Sequence, residues 1–236
     1  MRSALTAEGG IPSIPASVIE PFLSQPLVIP PNALDGAPQI VATEESRVLV
    51  GAGDKAYVSS IPVANKQTNW HVYRPGAPLV DPENKETLGI EAFYLGTARV
   101  SKRGQPATID IVRSAQEIRV GDRLVAVTRP PLLNYAPHAP ETFVRARVIS
   151  AYGGVEETGR NSIIALSRGS RDGVEVGHVM ALYRHGGTVE SDKKKIKLPD
   201  ERYGLAFVFR VFDRVAYALV LDVKRPVQMN DVAQTP

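Results

Sequence analysis

The sequence reads Val72-Tyr73-Arg74-Pro75-Gly76 in its first half and Leu182-Tyr183-Arg184-His185-Gly186 in its second half. Three further pairs of similar blocks keep the same order in both halves, at offsets of 109 to 115 residues. These pairs are 88–93 with 203–207, 107–111 with 217–221, and 118–122 with 227–231. Four matched blocks in one order predict an internal duplication, in which one small folding unit occurs twice.

The matched blocks have the composition of β-strands. Val, Ile, Leu, Tyr and Phe are enriched in runs such as 47–50, 69–74, 88–100 and 217–223, and Gly, Pro, Asn and Asp separate the runs. The run at 69–74, for example, is expected to stop at Pro75-Gly76. Each copy contains five or six such runs in roughly 80 to 95 residues, which is enough for an independent fold. The sequence therefore predicts an all-β, mainly β, protein with two related small barrel-like or sandwich-like domains, since closure removes exposed sheet edges.

Two proline-rich segments divide the chain. Proline fixes φ and restricts the residue before it, so residues 1–45 are expected to be extended. The same segment contains many apolar residues and is therefore expected to pack on the folded body. Residues 129–141 contain four prolines and predict a stiff connector. The predicted domains are a first β domain at 46–128 and a second at 142–236.

Composition and charge argue against several classes of function. The net charge is only +3, with basic residues scattered among nearly as many acidic ones, whereas nucleic-acid-binding surfaces are usually strongly basic. The chain has no cysteine, which excludes disulfides, thiolate zinc sites and cysteine nucleophiles. No segment is apolar enough for a membrane-spanning helix, and residues 1–5 do not begin a signal peptide. We expect neither a transmembrane segment nor a nucleic-acid partner.

No local motif predicts catalysis or metal binding. The four histidines, at positions 71, 138, 178 and 185, form no i, i+4 pair of the kind that binds zinc on a helix. A Gly-x-Ser-x-Gly nucleophile motif is absent. Carboxylates occur in adjacent pairs such as Glu156-Glu157, and neighbours on a strand point to opposite faces. The sequence predicts a protein that is not an enzyme and has no catalytic residues, metal site or cofactor.

The candidate binding residues are aromatic or basic: Trp70, Tyr73, Arg74, Tyr183, Arg184, Lys193, Lys194 and Lys195. Trp70 is the only tryptophan, and an exposed indole beside Arg74 would stack on a sugar ring or a peptide. The lysine run at 193–197 has two interpretations. It is either a solvated loop beside Glu190 or a contact for an anionic polymer or lipid surface.

Five stretches of the chain carry a family resemblance. They are 9–15 (GGIPSIP), 19–28 (IEPFLSQPLV), 51–58 (GAGDKAYV), 198–204 (LPDERYG) and 207–220 (FVFRVFDRVAYALV). The set is similar to the C-terminal region of proteobacterial LysM-domain-containing envelope proteins, downstream of the LysM domain. The resemblance extends over nearly the whole chain, although the LysM module itself is not among the 236 residues.

The resemblance implies an exported protein of the periplasm or cell envelope. In such proteins the LysM module binds the glycan of peptidoglycan, so the resemblance implies cell-wall glycan, through that module, or envelope proteins as partners. We therefore expect a non-catalytic binding or scaffold module that is a monomer or a small oligomer. Two alternatives stay open. One is a nucleic-acid-binding pair of barrels in the manner of OB-folds, and the other is a cell-wall-acting enzyme with a dispersed active site.

Overall fold

The computed structural model describes residues 19, 22–23, 25, 28–30, 33, 36–127, 136–152, 157–184, 186–191 and 194–236. Within these residues the chain is mostly β-strand and contains no helix of seven or more residues, so the mainly β prediction is confirmed. None of the described helical segments is long and apolar enough to cross a membrane.

The chain divides into two compact units. The first β unit comprises Glu20–Leu133, and the second comprises Asn134–Pro236 together with Met1–Ile19. The boundary between Leu133 and Asn134 falls inside the predicted connector at 129–141, most of which lies outside the described residues. The first unit begins well before residue 46, because strands from the predicted extended segment are part of its sheet.

The first β unit is built on one antiparallel sheet. Its strands are β1 (Val28–Ile29), β2 (Ile40–Thr43), β3 (Lys55–Val58), β4 (Asn69–Val80), β5 (Thr87–Lys102), β6 (Ala107–Ser114) and β7 (Arg123–Ala126). The pairing order is β2-β3-β6-β5-β4-β7, and β1 is added to β5. A bridge between Gln39 and Arg123 joins the two ends of this order, supported by a 2.8 Å hydrogen bond from Ile40 N to Asp122 O.

The second β unit contains a closed barrel of six strands. Its strands are β8 (Arg145–Ala151), β9 (Glu157–Thr158), β10 (Ile163–Leu166), β11 (Val179–Arg184), β12 (Thr188–Ser191), β13 (Lys194–Lys197), β14 (Glu201–Val211), β15 (Ala216–Val223), β16 (Val227–Gln228) and β17 (Val232–Gln234). The barrel order is β10-β15-β14-β11-β17-β8. The pairs β12-β13 and β9-β16 form separate two-stranded sheets.

The two units share one order of strand pairing. Starting from β2 in the first and β8 in the second, the sequences of neighbours correspond strand for strand. Each unit also fills its own interior with apolar side chains. In β6, for example, Ile109 and Ile111 are buried while Val112 is exposed, which follows the two-residue period of a strand. Descent of the units from a duplicated ancestor remains a prediction.

Three local expectations are corrected by strand pairing. The predicted stop at Pro75-Gly76 is wrong, because β4 continues to Val80. Beyond Tyr73 the neighbour β7 no longer pairs with β4, so the missing N–H groups of Pro75 and Pro78 interrupt no ladder on that side. The predicted strand at 47–50 is also wrong, since a 3-10 turn at Glu44–Ser46 precedes it and only Val50 forms a bridge, with Ile118. From Lys194 onward the lysine run is a strand of a hairpin and not a loop.

Candidate functional site

Arg74, one of the predicted binding residues, has a structural partner. Its guanidinium donates two hydrogen bonds to the buried carboxylate of Asp122, from Nε at 2.8 Å and from Nη2 at 2.9 Å. The same carboxylate accepts the backbone N–H of Arg119 at 2.8 Å. The hydrogen bond to Asp122 raises the pKa of Arg74 above its usual value. Arg74 therefore fastens the turn before β7 to β4.

The matched turn of the second β unit uses different donors. Asp231 accepts the backbone N–H of Gln228 at 2.9 Å and the hydroxyl of the buried Tyr203 at 2.7 Å. Burial, together with the hydrogen bond to Asp231, raises the pKa of Tyr203 far above its usual value. The Nε atom of Arg184 stays 4.0 Å from Asp231, and its Nη2 donates to the Gln228 side chain instead. Arg184 and Arg74 thus serve the same turn through different contacts.

The predicted stacking surface at Trp70 is wrong. Trp70 is only 6% exposed and belongs to the apolar core of the first unit, and Tyr73 is 1% exposed. The indole N–H points to Gln67 O at 3.4 Å, and burial raises the pKa of the Tyr73 hydroxyl. Neither ring offers a face to a ligand. The aromatic residue of the second copy, Tyr183, is half-buried at the end of β11.

The lysine run lies in the β12–β13 hairpin. The backbones of Lys194 and Lys195 are part of β13, where Lys195 is the register partner of Glu190 in β12. Lys193 and the side chains of 194–197 lie outside the described part of the chain. A contact between this run and an anionic surface therefore stays a prediction.

A groove of about 450 Å³ opens on the first β unit at a gap in strand pairing. On one side of the gap, Gly121 N donates to Ile40 O at 2.9 Å, and on the other, Val50 N donates to Ile118 O at 2.9 Å. Between these two contacts, residues 41–48 do not pair with residues 119–120, although Ala42 and Thr43 still pair with β3 on their other side. These two stretches form the walls of the groove.

The groove combines exposed apolar walls with two arginines. Val41, Val48 and Val120 line it and are 47%, 82% and 50% exposed. Arg47 also lines it but is paired with Asp54 at 2.8 Å and Glu45 at 3.0 Å. Among the described residues, none bonds to the guanidinium of Arg119. The volume of the groove falls within the range of small-ligand pockets, roughly 300–1,000 Å³.

The second β unit contains a cluster of metal-ligating residue types. His138, Glu175 and His178 place one potential ligand atom each within 4.8 Å of the others. His138 and Glu175 are exposed, whereas His178 is 3% exposed. Burial first, and then the neighbouring His138, lowers the pKa of His178, while Glu175 and Glu141 act in the opposite direction. Two imidazoles and a carboxylate are a ligand set that suits zinc and related divalent metals.

Sequence reasoning missed both the groove and the histidine cluster. Val41 fell in the predicted extended segment, and no short motif connects it with Val120. The search for zinc ligands tested helical spacing, whereas this cluster joins a turn, Glu175-x-x-His178, to a histidine that precedes it by 37 residues. Only the Glu-x-x-His pair is a local signal, and a pair of this kind is too common to single out a site.

Comparison of the chain with models of protein families finds no match. Comparison with curated proteins finds no match either. Function is therefore inferred from the geometry of the sites and from the sequence resemblance.

Proposed function

We propose that this chain is a non-catalytic binding or scaffold module of the cell envelope, which holds a partner protein through the groove of the first β unit. The partner segment carries an apolar side chain beside a carboxylate. The observation that carries this proposal is the juxtaposition of Val41, Val48 and Val120 with the guanidinium of Arg119.

Exposed apolar residues that are collected around one concavity favour a binding role. Single exposed hydrophobic side chains are common on protein surfaces, but several around one groove mark a surface that a partner covers. Arginine is enriched in such interfaces, where it forms directional bonds with carboxylates. The charge of Arg119 therefore selects an acidic group, and the valines select an apolar neighbour.

The cell-envelope part of the proposal is supported by the resemblance to the region that follows LysM domains. A module in that position would link a protein partner to the cell wall, while the LysM domain of the same protein holds the glycan. Fractionation of cells that express the full gene tests this part. Recovery in the envelope fraction is expected, and recovery only in the cytosol would contradict it.

Binding at the groove can be measured by fluorescence polarisation with short labelled valine-containing peptides. Each peptide is measured in two forms, one with a free C-terminal carboxylate and one with a C-terminal amide. We expect carboxylate peptides to bind more tightly, and Arg119→Gln to weaken them about fivefold, since the bond of an exposed arginine to a carboxylate contributes about 1 kcal/mol. Val48→Asp should weaken them as well, because it places a negative charge beside the ligand.

Matched controls lie in the same unit outside the groove. Arg113 and Val112 are exposed residues of β6, so Arg113→Gln and Val112→Asp repeat the chemical changes away from the groove. Equal affinity of groove variants and controls would refute the groove as the binding site, and so would the absence of binding by any peptide. Steeply salt-dependent binding of a single-stranded oligonucleotide would instead support the nucleic-acid alternative.

A further inference from the structure

The backbone holds His138 and His178 side by side in the second β unit. They form a parallel bridge, in which His138 N donates to Gly177 O at 2.9 Å and Val179 N donates to His138 O at 2.8 Å. The bridge fixes the segment that contains His138 against the start of β11. The two rings lie 5.0 Å apart between centroids, edge to face.

The turn before β11 brings the carboxylate of Glu175 to the same place. His178 N donates to Glu175 O at 3.3 Å, and Gly177, between them, has φ +105°. A Cβ at Gly177 would lie 2.7 Å from Cε1 of His138, so glycine leaves the space that the His138 ring occupies. The cluster therefore depends on a specific backbone conformation and not only on long, mobile side chains.

We propose that His138, Glu175 and His178 form a binding site for a divalent transition metal of the zinc class. The Nδ1 atom of His138 lies 2.9 Å from Ala136 O. When Nδ1 carries the proton and donates it to this carbonyl, the Nε2 lone pair of His138 is free for a metal, as in most metal-binding histidines. Glu141 is close enough for its charge to act on the His178 ring, so the negative charges of Glu141 and Glu175 together would neutralise a divalent ion.

Metal binding requires a modest adjustment of the exposed ligands. Ligand atoms on a tetrahedral zinc ion are about 3.3 Å apart at bond lengths near 2.0–2.2 Å. The potential ligand atoms of His138, Glu175 and His178 lie within 4.8 Å of one another. The buried His178 is the anchor, and the exposed side chains of His138 and Glu175 move toward it. His178 Nδ1 accepts a 3.2 Å hydrogen bond from Glu175 N, and a metal on that atom replaces this long hydrogen bond.

The metal would cross-link two segments of the second β unit. His138 lies within the predicted connector at 129–141, whereas Glu175 and His178 belong to the turn that enters the barrel. A shared ion adds a cross-link between these segments, and three protein ligands leave the remaining position to water. Because the site forms only in the folded chain, bound metal raises its stability by mass action.

The test is titration of the full chain with Zn²⁺ in a calorimeter, together with Co²⁺ absorption spectra as a readout of ligand geometry. We expect one equivalent to bind and the thermal midpoint to rise with metal concentration. His138→Gln and Glu175→Gln change exposed residues and should fold normally. Each should weaken binding by more than about tenfold, since even outer-shell changes typically cost 10–100-fold.

Two controls separate this site from incidental metal binding. Glu157→Gln changes an exposed carboxylate of the same unit outside the cluster and should leave the affinity unchanged. Mg²⁺, which prefers oxygen ligands, should give no comparable stabilisation. Wild-type affinity in both His138→Gln and Glu175→Gln would overturn the proposal, as would the absence of saturable Zn²⁺ binding. Either result would leave two neighbouring histidines without a metal role.

Discussion

Replacing Asp122 by alanine should destabilise the first β unit by about 3 kcal/mol. The change removes two hydrogen bonds from Arg74 and one from the backbone of Arg119. The Arg74 side chain is 32% exposed and regains water, so we assign each of its bonds about 1 kcal/mol and not the 1.5–3 kcal/mol of buried charged pairs. The Arg119 amide, left without its acceptor, adds about 1 kcal/mol.

Trp70 provides a specific assay for this prediction. It is the only tryptophan and is buried in the core of the first β unit, so its fluorescence reports the unfolding of that unit. With a urea dependence of about 1–3 kcal/mol per molar, Asp122→Ala should lower the midpoint by on the order of 1–3 M. A double-mutant cycle with Arg74→Met should give a coupling energy of about 2 kcal/mol.

Arg113→Met is the control for loss of an arginine side chain, since Arg113 is exposed on β6. It should leave the midpoint unchanged. A midpoint within about 0.5 M of the wild type in Asp122→Ala would refute the assignment of a structural role to this turn. A coupling energy near zero would show that Arg74 and Asp122 do not stabilise each other.

Two further predictions concern the second β unit. The raised pKa of Tyr203 keeps its hydroxyl protonated in the folded chain, whereas the same hydroxyl ionises near pH 10 in the unfolded chain. The free energy of unfolding should therefore fall as the pH rises above 10. In urea titrations across this range, Tyr203→Phe should reduce that fall, and an unchanged slope would contradict the prediction. Gly173→Ala, at φ +80° with only an ordinary 3.5 Å contact to Thr142 Oγ1, should cost about 1–2 kcal/mol for backbone strain alone. Gly177→Ala adds a clash with His138 and should lower the thermal midpoint further, whereas equal midpoints would refute the close packing.

The long strands could be predicted from the sequence because their β-favouring composition and the turn residues at their ends indicate the same bounds. The predicted run at 88–100 corresponds to β5 (Thr87–Lys102), and the run at 217–223 corresponds to β15 (Ala216–Val223). The error at Pro75 has a different cause. Whether proline ends a strand depends on whether a neighbour needs its missing N–H, and that neighbour, β7, lies some 50 residues further along the chain.

The candidate sites were less predictable because each is assembled by tertiary contacts. Trp70 beside Arg74 suggested an exposed surface, but the indole packs in the core and the guanidinium binds Asp122. The groove exists because, between Ile40 and Val50, the chain does not pair with residues 119–120, an irregularity that local composition does not encode. Sequence reasoning therefore located Arg74 and Arg184 but not their roles.

The two aspartate turns explain why the repeated Tyr-Arg blocks have different contacts. In both turns the carboxylate accepts the N–H three residues earlier, at 2.8 Å for Asp122 and 2.9 Å for Asp231. The backbone carbonyl of each aspartate also accepts an N–H from a neighbouring strand, from Ile40 in β2 for Asp122 and from Val148 in β8 for Asp231. The backbone arrangement is therefore common to the two units, and the difference lies in the side chains that complete it.

The second partner of each carboxylate follows from two positions that differ between the copies. In the first unit Leu95 is the unpaired residue opposite the step from Val72 to Tyr73. In the second unit Tyr203 is the unpaired residue opposite the step from Leu182 to Tyr183. Tyr203 therefore corresponds to Leu95, and the sequence match of 203–207 with 88–93 is wrong. Leucine has no hydroxyl to donate, and Arg74 binds both oxygens of its aspartate. Where the Tyr203 hydroxyl occupies one oxygen, Arg184 is displaced to 4.0 Å and donates to Gln228. Gln228 itself stands where the first copy has Arg119, so only the second copy offers this side-chain acceptor. These two differences together account for the ion pair in one unit and its replacement by a buried tyrosine in the other.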